Sequence, residues 1–153
     1  PDIEYFIKIY KGFYFDYIDD SHLYNNVLLL FENLKSKKIK TGLLTTKGQD
    51  QAEMISKYFA IEKYFDVIEG RKNNVAIKPA PDQLLKICRE VNVDPQNALM
   101  IGDTELDIMC GKNAGSKTCA VSYGYRNNGE LKTYKPDYFI DDLKEVIDLI
   151  KID

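Results

Sequence analysis

The chain contains no apolar run longer than the five residues Val27–Phe31, far short of the roughly 18 that a membrane span needs. It has one histidine, His22, and three cysteines among 153 residues. So few cysteines exclude a secreted disulfide scaffold, and Cys88, Cys110 and Cys119 lack the paired spacing of a zinc site. They sit in apolar, periodic surroundings and read as small core hydrophobes in a reduced, cytoplasmic protein. His22 has no serine or cysteine partner at a recognisable spacing, so a turn or surface role suits it. Positive charge is not in excess: 21 Lys+Arg against 24 Asp+Glu give −3, which argues against nucleic acid as the main partner. No signal-peptide pattern follows Pro1-Asp2, and an opening without Met creates the expectation that sequence precedes it or was removed. What remains, 44% hydrophobic and 29% charged residues, is the balance of an ordinary globular domain.

Residues 1–20 are rich in aromatics. Tyr5, Ile9 and Phe13 recur every four positions, with Phe6 and Tyr10 widening the stripe, which predicts a helix with an aromatic face. After Ser21 the composition shifts, and Asn25-Asn26 marks a turn. From there helix and strand signals alternate. Helices are expected over 27–37, 49–59, 82–91, 106–113 and 143–150, and strands over 40–45, 65–68, 98–101, 118–121 and 138–140. Pro79 and Pro81 set up the helix near 82, and Gly115 can take the left-handed cap after residue 114. Strands separated by helices of this length predict an α/β fold: a mostly parallel sheet with helices on both faces.

In such sheets ligands bind beyond the carboxyl ends of the strands. Three polar groups fall there. Thr45-Thr46-Lys47 offers hydroxyls at a strand-to-helix turn, suited to a phosphoryl oxygen or simply to capping the next helix. Lys78 precedes Pro-Ala-Pro, which aims its side chain; it is either a pointed ammonium or an ordinary solvated lysine. Gly102-Asp103-Thr104-Glu105-Leu106-Asp107 delivers two carboxylates at the end of a strand and in the first turn of a helix. Hard oxygen ligands of this kind suit Mg²⁺, although acids there also complement the helix dipole. The basic run Lys35, Lys37, Lys38 and Lys40 reads as a solvated helix end.

The ordered series Leu43-Leu44-Thr45-Thr46-Lys47, Lys78-Pro79-Ala80-Pro81 and Gly102-Asp103-Thr104 with Asp107 resembles the haloacid dehalogenase (HAD) superfamily, and within it the phosphoglycolate-phosphatase-like branch. Tyr24-Asn25-Asn26-Val27, Lys112-Asn113-Ala114-Gly115, Ser122-Tyr123-Gly124-Tyr125 and the segment from Pro136 to Asp141 extend the likeness over nearly the whole chain. The resemblance implies a HAD-like (Rossmannoid) fold and phosphoryl transfer from a small phosphorylated substrate. Thr45, Lys78 and Asp103 would be catalytic, with Thr45, Thr46 and Lys78 binding phosphate and Asp103 and Asp107 holding Mg²⁺, Asp107 either directly or by orienting its waters. Thr46 departs from the asparagine or serine often found after the motif threonine, which leaves the role of the second hydroxyl open.

One family element is absent. The Asp-x-Asp-x-Thr motif, which supplies the aspartate nucleophile at the end of the first strand, does not occur here. Asp16, Asp19 and Asp20 have the wrong spacing. Residues 1–20 instead resemble the tail of a helical cap, leaving 21–153 as the core domain without its first strand. That strand would lie between those ending at Thr45 and Asp103. An upstream segment or a second chain is therefore expected to complete the sheet. Three functions compete: a Mg²⁺-dependent phosphatase using an aspartyl-phosphate whose aspartate lies outside this chain, with pyrophosphatase or sugar-phosphate mutase as neighbours; a signalling receiver module; and a non-catalytic phosphate- and metal-binding fragment. Chain order disfavours the receiver, which has its acids before its threonine and lysine.

Overall fold

A computed structural model describes residues 15–150. The expected aromatic helix built on Tyr5, Ile9 and Phe13 lies outside the described residues, as does most of the cap segment. A 3₁₀ turn at Ile18–Asp20 buries Ile18, and the hydroxyl of Tyr58 donates to Asp19.

From there the chain alternates as expected. The order is α1 (Val27–Ser36), β1 (Gly42–Gly48), α2 (Gln49–Tyr58), β2 (Val67–Arg71), α3 (Asp82–Glu90), β3 (Leu99–Gly102), α4 (Glu105–Ala114), β4 (Lys117–Val121), α5 (Asn128–Thr133), β5 (Tyr138–Ile140) and α6 (Glu145–Leu149). Among the described residues all strand pairs are parallel, in two groups ordered β1-β2 and β3-β4-β5. Leu43 sits opposite Ile68 and Leu44 opposite Glu69, while Ile101 sits opposite Cys119.

Strand alternation explains the helices on both faces. On β4, Cys119 and Val121 point into one apolar cluster with Leu30 of α1 and Val146 of α6. Ala120, between them, joins Ile108 of α4 and Leu131 of α5 on the other face. A third cluster packs Leu84 and Cys88 of α3 against Met100 and Cys110, with Leu44 of β1 at its margin. β1 and β3 are not paired with each other. Between them lies an apolar-lined cavity of about 600 Å³, walled by Gly42–Leu44 of β1, Leu99–Ile101 of β3 and side chains of α1 and α3.

Several element ends differ from expectation, each for a physical reason. β1 runs on through Thr45, Thr46 and Lys47 to Gly48, with a register irregularity between Leu44 and Gly48. There the Gln49 side chain donates to the Ile68 carbonyl (3.0 Å) and accepts from the Gly70 N–H (2.7 Å), so an amide side chain extends the pairing of β2. A Cβ on Gly70 would lie 2.6 Å from the Gln49 Cα, which restricts that position to glycine. β2 begins at Val67 rather than 65, because Phe65 follows a 3₁₀ turn (Glu62–Tyr64) and packs edge-on against Phe31. It continues through Glu69-Gly70 because Glu69, 3% exposed, is paired with Lys72 and Lys86. α5 was not expected from its polar sequence; the Asn127 side chain caps it and Leu131 anchors it. α6 starts at Glu145 rather than 143, after a turn whose Asp141 and Asp142 N–H groups donate to the Glu145 carboxylate. Among the described residues no helix is long and apolar enough to cross a membrane.

Candidate active site

Asp103 follows the last residue of β3 and precedes Thr104, the N-cap of α4. The Asp107 carboxylate closes a capping box on that turn: its Oδ2 accepts from the Thr104 N–H at 3.0 Å and the Thr104 hydroxyl at 2.8 Å. Its other oxygen, Oδ1, accepts from Lys78 Nζ at 2.5 Å. Asp107 is buried and Lys78 nearly so, with side-chain exposures of 7% and 10%. The reading of Lys78 as a solvated surface lysine is therefore overturned. α4 secures the segment that presents it: Asn113 Nδ2 donates to the Pro79 carbonyl (3.0 Å) and Cys110 Sγ to that of Ala80 (3.4 Å).

The tight packing here needs glycines at two places. A Cβ on Gly102 would fall 2.2 Å from Asp107 Cγ, and one on Gly124 would fall 2.1 Å from Asp103 Cβ. Asp103 Oδ2 accepts the Tyr125 N–H at 3.0 Å. The ring of Tyr123 is stacked at a tilt on Tyr24, 4.8 Å between centroids. Burial, with the negative charge of Asp103 nearby, raises the Tyr24 hydroxyl above its usual range. Arg126 binds Glu105 through both carboxylate oxygens, at 2.7 and 2.9 Å, and holds that acid below the usual carboxylate range.

The structure thus brings Lys78, Asp103 and Asp107 to one corner of the molecule. Thr45 is placed by β1. Its predecessor Leu44 packs in the cluster of Met100 and Cys110, on the elements that carry the acids. Thr45 is half-buried and Thr46 exposed, and among the described residues neither bonds to Lys78, Asp103 or Asp107. Neither caps the next helix, whose N-cap is Gly48. Instead Thr45 Oγ1 accepts the Lys47 N–H at 3.2 Å, which leaves the hydroxyl proton free to donate. His22 is exposed. Of the basic run, Lys40 pairs with Asp66 and Lys35 lies over the Tyr64 ring. The three cysteines are free and buried, as expected; burial pushes Cys110 up to about 11 and Cys119 up to about 12. The Arg126–Glu105 fork leaves no signal in the sequence, because its two members are far apart and belong to no motif.

The donor set suits a hard cation only in part. Among the described residues no three His, Cys, Asp or Glu side chains gather as a metal site. Asp103 offers carboxylate oxygen, whereas both oxygens of Asp107 are already engaged. Mg²⁺ commonly takes one or two carboxylates and completes its shell with water and phosphate oxygens, so Asp103 fits such an ion as one ligand among several.

Comparison with known proteins bears on the family and the fold. The family model for haloacid dehalogenase-like hydrolases matches residues 1–121. A Clostridium perfringens protein that carries the name pyrophosphatase PpaX provisionally is 38% identical over 150 residues, 97% of this chain and 70% of its own length. The Bacillus anthracis pyrophosphatase PpaX is 34% identical over 149 residues, 97% of this chain and 69% of its own. Among solved structures, a predicted phosphoglycolate phosphatase from Haemophilus somnus superposes with a TM-score of 0.83 at 28% identity, over 92% of this chain and 63% of that one. The chain thus spans about two thirds of the length of the relatives it matches.

Proposed function

Because this chain belongs to the haloacid dehalogenase-like hydrolase family, we propose that the corner formed by Lys78, Asp103 and Asp107, with Thr45, serves Mg²⁺-dependent hydrolysis of a small phosphorylated substrate. The observation that carries this reading is the buried Lys78–Asp107 pair beside Asp103. It keeps an ammonium in place at the carboxyl end of β3, where an α/β sheet binds its ligand. Phosphoryl transfer asks mainly for positioning and charge neutralisation.

In this reading Lys78 offsets negative charge on the phosphoryl oxygens. The Thr45 hydroxyl, its oxygen already accepting the Lys47 N–H, donates its proton to one of them, and Thr46, next to it on β1, is a second hydroxyl for the phosphate. Asp103 is the Mg²⁺ ligand. Of its two expected roles, Asp107 takes the orienting one, since Thr104 and Lys78 occupy its oxygens. Mg²⁺, when bound, supplies further neutralisation of the phosphate. The attacking carboxylate belongs to an aspartate outside this chain; its oxygen bonds to phosphorus as the leaving group departs, and water then hydrolyses the acyl phosphate. That aspartate arrives on an upstream segment or a second chain that fills the gap between β1 and β3, a role supported by the apolar cavity there. The three buried thiols support a cytoplasmic setting.

Two substrates stand first. The motif pattern and the name of the Haemophilus somnus structure favour a phosphomonoester such as phosphoglycolate, and the names of the Clostridium perfringens and Bacillus anthracis relatives favour pyrophosphate. Phosphate release by the intact protein, compared for p-nitrophenyl phosphate, phosphoglycolate and pyrophosphate with and without Mg²⁺, tests the reading. Metal-dependent turnover of at least one is expected. No turnover of any would leave the non-catalytic phosphate- and metal-binding alternative in its place.

A further inference from the structure

The loop after β4, residues 122–127, reaches both Asp103 and the first turn of the helix that follows it. Tyr123 is anchored in the cluster of Leu30 and Val121 and rests on Tyr24. Gly124 lies so close to Asp103 that no side chain fits between them. The next N–H, that of Tyr125, donates to Asp103 Oδ2. Arg126 then grips both oxygens of Glu105 in the first turn of α4. Asn127 caps α5, and that helix packs Leu131 back onto Ile108 of α4.

We propose that this loop is a positioning clamp for Asp103, with Gly124 and Arg126 its two essential members. The proposal rests on the reading of Asp103 as the Mg²⁺ ligand. The clamp acts in two ways. The Tyr125 N–H fixes the carboxylate by one oxygen, so that the other, Oδ1, would be available to Mg²⁺. The Arg126 fork holds the loop against α4 and neutralises Glu105, two residues from Asp103, so that this second acid does not draw the cation to a competing position. Partners that orient a metal ligand are worth about 10- to 100-fold in metal affinity, whereas a half-exposed ion pair adds little to stability. The two contributions are therefore separable.

Calorimetric titration of the intact protein with Mg²⁺ alone, together with a thermal melt of each variant, tests the proposal. Gly124→Ala crowds Asp103 and is expected to weaken Mg²⁺ binding by about 10- to 100-fold. Arg126→Gln, which crowds nothing, is expected to weaken it by about 10-fold with a nearly unchanged melting temperature, and Arg126→Lys to recover part of the loss. Should Gly124→Ala fail to fold, Arg126→Gln decides. If both variants bind Mg²⁺ within about twofold of the parent while Asp103→Asn has lost it, the clamp is refuted and Asp103 remains the ligand. If Asp103→Asn itself binds like the parent, the underlying reading falls and the clamp with it.

Discussion

Replacing Lys78 by methionine removes the ammonium and keeps most of the volume, so it isolates the buried ion pair. The pair is 10% and 7% exposed, with a separation of 2.5 Å. Removing one partner of such a pair leaves a buried charge without compensation, a loss of about 3–5 kcal/mol. Asp107 keeps two hydrogen bonds from Thr104, which places the expected loss near the lower end, about 3 kcal/mol. That is a large share of the roughly 5–15 kcal/mol by which a domain is stable. With a urea slope of about 2 kcal/mol/M, the midpoint falls by about 1.5 M. Circular dichroism during urea titration measures it, and a cycle with Asp107→Asn and the double variant separates the pair from its surroundings. The double variant is expected to be more stable than the sum of the single losses by about 1–3 kcal/mol. Additivity to within about 0.5 kcal/mol would refute the claim that these two residues act as a unit. In the intact enzyme the same variant is expected to lose about 10²–10³-fold in turnover, comparable to loss of one transition-state donor.

Two further outcomes follow from other parts of the molecule. The thiols of Cys88, Cys110 and Cys119 are buried and raised above the usual range by that burial. A disulfide reagent at pH 8 is therefore expected to label none of them in the native protein and all of them in denaturant; rapid native labelling would contradict the packing of α3, α4 and β4. The Asp137 carboxylate is held below its usual value, first by the Thr118 N–H at 2.8 Å and then by the Thr118 hydroxyl. A depressed carboxylate stabilises the fold above its unfolded value and loses that contribution as pH falls through the folded one. Asp137→Asn is thus expected to lower stability at pH 7, with the difference from the parent closing below about pH 4; a gap that widens in acid would invert the assignment.

The alternation of elements was legible because the strands of this fold are short apolar runs, such as Ala98–Ile101, bounded by glycine, proline or acid. Asp103 and Asp107 were legible as neighbours because they lie four positions apart, at a strand end and a helix start. What was hidden depended on contacts distant in sequence. Glu69 looked like the end of a strand and is instead a buried residue within one, since Lys72 and Lys86 neutralise it. Asp107 read either as a second metal ligand or as an orienter of the ion's waters, and its partner Lys78, 29 residues away, which takes one of its oxygens, left no trace in the local sequence. The Thr45-Thr46 pair offered a helix cap, and the extension of β1 to Gly48 moved that cap three residues on from Thr45.

In the proposed reaction Asp103 holds a divalent ion where Lys78 and Thr45 receive a phosphate. Phosphate release by the intact protein, measured in Mg²⁺ and again after chelation, for the parent and for Asp103→Asn, tests it most directly. Turnover that vanishes on chelation and in Asp103→Asn, while that variant still melts cooperatively, is the predicted result. Turnover that survives both would contradict the account.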